Sequence, residues 1–209
     1  MDLAEEVTKR LDLKLELQPI AWDAKDMELS SKNIDCIWYG FTINGREDEY
    51  TWTDAYMKNN QVFVVKADSG ITSLDDLAGK VVVTQADSSA EAALADDPGL
   101  VETFGDYMTA ADYNTALMDL ESGAVDAVAM DDTVASYQIE KRGDSFAVLE
   151  ETLAAEEYGV GFLLGNEGLR DKVQVKLEDM AADGKLTEIS ENWFGKDIIR
   201  RAAATCFYC

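Results

Sequence analysis

The chain has 209 residues, 47% of them hydrophobic, with 42 acidic against 18 basic side chains and a net charge of −24. That length and apolar content suffice for one large domain or two small lobes. No apolar run approaches the roughly 18 residues of a membrane span, and the acidic excess repels nucleic-acid phosphates. It would attract cationic solutes, or serve only as surface solvation. With no histidine in the sequence, Ser-His and Cys-His nucleophilic arrangements and histidine metal sites are ruled out.

Residues 2–11 read as an amphipathic helix, with Leu3, Val7 and Leu11 spaced for one face. This start is not the charged and apolar pattern of a signal peptide. Leu13, Leu15 and Leu17 alternate with polar residues, which predicts a half-buried strand ended by Pro19. Trp22 precedes a helix over about 24–31 and fits a core position. The apolar run at 34–39 predicts a buried strand, in which Cys36 acts as a small hydrophobe. Gly40 then allows close backbone approach and Gly45 a turn. Thr42 offers a hydroxyl and an N–H, and Arg46 a planar fork of donors that matches a carboxylate. The stretch suits a small-carboxylate pocket, or an ordinary loop with a surface arginine.

Val62–Val65 is a β-branched strand, and the first crossover between lobes is placed near it. Residues 73–80 read as a short helix capped by Ser73, and 81–83 as a strand. Ser88 and Ser89 open a helix over about 89–95, where N–H groups and hydroxyls suit an anion or an ordinary N-cap. Residues 112–120 are helical. The strand at 125–130 ends in Asp131, an acid placed to accept an ammonium group or to cap the helix after it. Asp132 is the less favoured neighbour. Leu29–Gly40 and Leu120–Asp131 align as a weak repeat of helix end, turn and strand. A short strand at 148–149, a return crossover at 158–164, and helices over 169–182 and 186–195 complete the pattern. Cys206 and Cys209 have CxxC spacing, which alone is weak evidence for a metal or redox site.

The run Gly40-Phe41-Thr42-Ile43-Asn44-Gly45-Arg46-Glu47-Asp48, then Tyr50 to Tyr56, resembles the signature of bacterial periplasmic-type amino-acid-binding proteins, the family 3 receptors of ABC importers. Trp193-Phe194-Gly195 resembles their C-terminal element, and the resemblance runs to about Asp197. It implies an α/β, two-lobed periplasmic-binding-protein fold of type II. Lobe 1 would comprise 1–64 and 158–197, lobe 2 would comprise 65–157, and the tail 198–209 is unassigned. It implies that Thr42 and Arg46, beside Gly40 and Phe41, hold a ligand α-carboxylate with Ser88 and Ser89 opposite. Asp131 would hold the amino group and Trp22 would pack on the ligand. Asp87 departs from the family, where glycine is usual.

The resemblance further implies a polar amino acid as solute, a membrane permease as partner, an extracytoplasmic place, no cofactor, and binding without catalysis. The alternatives are an enzyme on the same fold, of dehydratase or peptidoglycan-cleaving type, and the sensor domain of a membrane receptor. Family members open with a strand that is central in lobe 1, whereas this chain opens at the helix, so it reads as an N-terminally truncated fragment. The strands at 13–17 and 34–39 would flank an open slot, and exchange of elements between copies would give a dimer.

Overall fold

The structure is a computed structural model and describes residues 1–143, 145–195 and 197–199. The tail with Cys206 and Cys209 lies outside the described residues. In chain order the main elements are α1 (Asp2–Arg10), α2 (Lys25–Ser30), β1 (Thr51–Trp52), β2 (Met57–Lys66), β3 (Val81–Gln85), α3 (Ser89–Asp96), α4 (Pro98–Val101), β4 (Asp106–Ala110), α5 (Tyr113–Ser122), β5 (Ala127–Asp131), α6 (Asp132–Arg142), β6 (Phe146–Tyr158), β7 (Gly161–Phe162), α7 (Glu167–Ala182) and α8 (Lys185–Phe194). They form two compact units. Unit 1 takes Met1–Pro19, Asp26–Lys58 and the chain from Glu157 on, and unit 2 takes Ile20–Lys25 and Asn59–Glu156.

Unit 2 is built on a five-stranded sheet in the order β4-β3-β5-β2-β6. β3 runs parallel to β4 and β5, and β2 is antiparallel to β5. Side chains alternate between the faces of a strand, and here both faces are covered. Val62, Val64, Val83, Val128 and Met130 join one core with α5, while Phe63, Val65, Val82, Ala127 and Ala129 join another with α3. Burial on both sides is why 62–65, 81–83 and 127–130 read as continuous apolar runs. Ser88 accepts from the Glu91 N–H at α3, the ordinary N-cap role, and Asp112 accepts from the Thr115 N–H at α5.

Unit 1 packs α1, α7 and α8 around Val7, Val173, Leu177, Met180 and Leu186. Among the described residues its sheet is the β1–β7 pair. The strand expected over 13–17 does not form: Leu13 and Leu17 are 50% and 52% exposed, and Lys14–Gln18 make no backbone hydrogen bond among the described residues. Alternation specifies a face, but a strand also needs a neighbour to pair with. The strand expected over 34–39 is reduced to one bridge, Ile37 to Gly161. The first half of the sequence repeat therefore lacks its strand, whereas the second folds as α5, turn and β5. Gly161 earns its place there, because a Cβ on it would lie 2.5 Å from the Phe41 ring.

Candidate functional site

In unit 1 the loop 40–46 is fixed by the segment that follows β6. Ile43 N–H donates to the Glu157 carbonyl at 2.9 Å, Gly159 N–H to the Phe41 carbonyl at 3.1 Å, and Glu157 N–H to Asn44 Oδ1 at 2.8 Å. Gly40 has φ +52°, a left-handed conformation that suits glycine. Thr42 is buried and bridges Tyr158. The Arg46 N–H closes a turn onto the Ile43 carbonyl, and the Arg46 carbonyl accepts from the Trp52 indole at 2.9 Å. The Arg46 guanidinium lies 5.8 Å from the Phe41 ring centroid. Phe41 itself is fully buried, packed on Tyr50 and Trp52 at centroid distances of 4.9 and 4.6 Å. Its place is the platform behind Arg46 and Thr42. Tyr50 donates its hydroxyl to Asp26, and burial, with Asp26 beside it, pushes that phenol well above its ordinary range.

In unit 2 the loop between β3 and α3 is clasped by the Ile20–Lys25 segment, an association the sequence did not reveal. The Trp22 indole donates to the Asp87 carbonyl at 3.0 Å. Lys25, only 2% exposed, pairs with the Asp87 carboxylate and lies 5.4 Å from the Trp22 ring centroid. Asp87 has φ +60°. This left-handed backbone is costly for most residues and easy for glycine, with aspartate among the more tolerant exceptions. Ser88 caps α3 with its hydroxyl, so its side chain already serves the helix. Thr84, at the end of β3, donates to the Ala129 carbonyl at 2.8 Å and lies 3.4 Å from the Ser88 hydroxyl. Next to them the Tyr113 hydroxyl is buried. Burial, and then the Asp131 charge, hold its proton well above the usual tyrosine range.

Asp131 closes β5 and is 8% exposed. Its Oδ1 accepts from Asn59 Nδ2 at 3.3 Å and Gln61 Nε2 at 3.0 Å. The same two amides donate to Glu156 Oε1, at 2.6 and 2.8 Å. Asp132 stands in the first turn of α6, bonded to the Ser136 hydroxyl at 3.4 Å. The expected residues thus divide cleanly. Gly40, Phe41, Thr42 and Arg46 form one cluster in unit 1, and Trp22, Ser88, Ser89 and Asp131 belong to unit 2. Asn59, Gln61 and Glu156 were not read as site residues. The signal available was the Asn59-x-Gln61 spacing, two polar side chains on one face just before an apolar strand. Among the described residues no cluster of acids and cysteines is arranged for a metal ion.

Comparison with known proteins gives a consistent picture. Residues 1–196 match the family described as bacterial extracellular solute-binding proteins, family 3. The chain is 32% identical over 203 residues to the L-cystine-binding protein TcyJ of Escherichia coli, covering 96% of this chain and 75% of TcyJ. It is 28% identical to the L-cystine-binding protein TcyA of Bacillus subtilis, covering 95% of this chain and 72% of TcyA. Among solved structures, an ABC uptake transporter substrate-binding protein from Streptococcus pneumoniae with bound histidine matches at a TM-score of 0.90 and 33% identity, over 96% of this chain and 84% of that one. The α/β architecture is accordingly that of the two-lobed periplasmic amino-acid-binding proteins. By its sequence, over nearly its whole length, this chain belongs to the family 3 bacterial extracellular solute-binding proteins.

Proposed function

We propose that the chain captures a polar α-amino acid outside the cytoplasm and delivers it to the permease of an ABC importer. The observation that carries this reading is Asp131. It is a buried carboxylate at the C-terminal end of a sheet strand, oriented by two amide side chains. Such strand ends are where open α/β sheets bind ligands. In this reading Asp131 takes the ligand ammonium. Arg46 grips the carboxylate as a bidentate fork, braced by the Phe41 ring, with the Thr42 hydroxyl as second donor. Gly40 lets the carboxylate approach the backbone. The start of α3 at Ser88 and Ser89 adds N–H groups and helix polarity favourable to the same anion. Trp22 flanks the ligand while Lys25 and Asp87 hold its ring in place.

Relatives that bind L-cystine, and a structural neighbour that holds histidine, support an amino-acid solute. The mechanism is binding, with the amino acid released unchanged. A thermal-shift screen of the common amino acids and L-cystine tests it. A ligand at 100 times its Kd stabilises the folded chain by about 2.7 kcal/mol, which for a chain this size raises Tm by roughly 5–11 °C. Absence of a shift with every amino acid would remove the reading.

A further inference from the structure

We infer that Glu156 and Gln61 join Asp131 in one ammonium-binding site, a group of three acceptors on a single face of the unit 2 sheet. The inference rests on the reading that Asp131 holds the ligand ammonium, and it names two further residues for that task.

The sheet order places β2 between β5 and β6. Gln61 on β2 is the register partner of Asp131 on β5, and Asn59 lies two residues earlier on the same face. Glu156 comes from β6 on the other side. All four side chains are buried: Gln61 is 0%, Asn59 5%, Glu156 6% and Asp131 8% exposed. Each amide nitrogen donates to both carboxylates, so Asp131 Oδ1 and Glu156 Oε1 converge on the same two nitrogens. Two carboxylates held this close in a low-dielectric interior concentrate negative potential, which neutral amide donors only partly offset.

The independent observation is Gln61 Oε1. It is a buried acceptor with no hydrogen-bond partner among the described residues. Its own amide nitrogen is committed to the two acids, so the carboxamide is locked into the cluster. Leaving a buried acceptor unpaired costs free energy. The group that answers this combination has several donors, no acceptor and a positive charge. An ammonium has three donors and no acceptor. Calcium needs six to eight oxygens, whereas Asp131, Glu156 and Gln61 offer five, and Asp131 Oδ1 and Glu156 Oε1 already accept from both amides. A neutral hydroxyl would satisfy Gln61 but would bring no positive charge to the two carboxylates. Glu156 therefore adds to the discrimination between a cationic amino group and a neutral group at that position.

The test uses the full chain. The amino acid giving the largest thermal shift in the screen is titrated by calorimetry into the unsubstituted protein and into Glu156→Gln, alongside its desamino acid. Glu156→Gln keeps the shape and an oxygen for the Asn59 and Gln61 donors. The expected result is an affinity loss of about tenfold to a hundredfold for the amino acid, with the desamino acid binding both proteins alike. In the unsubstituted protein the Gln61 side-chain carboxamide resonance should shift with the amino acid and not with the desamino acid. Unchanged affinity in a folded Glu156→Gln protein overturns the inference and leaves the proposed function standing. If that variant does not fold, a Gln61 resonance indifferent to the amino acid overturns it. Failure of every amino acid to bind the unsubstituted protein overturns both.

Discussion

Replacing Asp87 by glycine sets two effects of similar size against each other. Asp87 has φ +60°, and a non-glycine residue in that region carries roughly 1 kcal/mol of strain that glycine lacks. Strain alone predicts that Asp87→Gly stabilises the chain. The carboxylate, however, is the partner of Lys25, whose side chain is 3% exposed while that of Asp87 is 56% exposed. A fully buried pair broken on one side costs about 3–5 kcal/mol, and an exposed one about 0.2–1 kcal/mol. A pair with one buried and one half-exposed member falls between, at about 2 kcal/mol. The Trp22 face keeps some hold on the stranded ammonium, and the Trp22 bond to the Asp87 carbonyl survives because it involves backbone. Asp87→Gly should therefore destabilise by about 1 kcal/mol, a fall in Tm of roughly 2–4 °C for a chain of this size. In a Lys25→Met background no charge is stranded, and the same change should stabilise by about 1 kcal/mol. Thermal melts of the four proteins in this cycle decide it. A Tm gain for Asp87→Gly in the otherwise unchanged chain would refute the argument that Lys25 depends on Asp87.

Arg46→Lys keeps the charge but loses the bidentate fork, and should weaken amino-acid binding by about 2–5 kcal/mol; calorimetry showing unchanged affinity would make Arg46 a bystander. Asp131→Asn should weaken an amino acid much more than its desamino analogue, and equal losses would reject its role as ammonium acceptor. Burial pushes the Cys36 thiol up to about 12, with Asp35 adding to the effect. Only about one in ten thousand of these thiols is ionised at pH 8, so peptide mapping after alkylation of the native chain should find Cys36 unmodified. Because the unfolded thiol ionises first, the stability from its neutral form is complete below about pH 8.5 and is lost as pH rises toward 12. Finally, the unpaired stretch with exposed Leu13 and Leu17 should favour a dimer or larger assembly; light scattering that shows a stable monomer at high concentration counts against it.

Much of unit 2 was legible because its rules are local. Strands buried on both faces show as β-branched runs, and a cap such as Ser88 acts within four residues. The edge strands were legible only in part: the strand read at 148–149 lies within β6, while β4 was not read. β4 and the far half of β6 are polar and lie toward opposite edges of the sheet, where one side of the strand has no neighbour to demand apolar residues. The stretch 13–17 shows the reverse case: its alternation is a sound local signal, but a ladder is made by two segments and the pattern names only one. The site divides in the same way. Thr42 and Arg46 stand in a recognisable motif with their glycines. The contact of Trp22 with Asp87 joins residues 65 positions apart, and no local pattern announces it.

Asn59, Gln61 and Glu156 were overlooked because polar residues in strands ordinarily mark a solvated face. Here they are buried, and their positions have a physical logic. The chain passes from unit 1 to unit 2 within β2, between Lys58 and Asn59, and leaves again within β6, between Glu156 and Glu157. The polar cluster therefore occupies the first residues of β2 inside unit 2 and the last residue of β6 inside it. A few residues further along β2, at Val62 to Val65, every position is apolar and buried. Well-packed apolar residues at 59, 61 and 156 would extend that core, and buried ionic groups often stabilise less than such packing. A fold selected for stability alone would have filled these positions with hydrophobes. A set of two acids, two amides and one carbonyl oxygen unanswered among the described residues makes sense when a charged ligand completes it. On that argument the folded chain is most stable with its solute bound, and the stability given up in the empty state reappears as affinity and as selectivity for a cationic amino group.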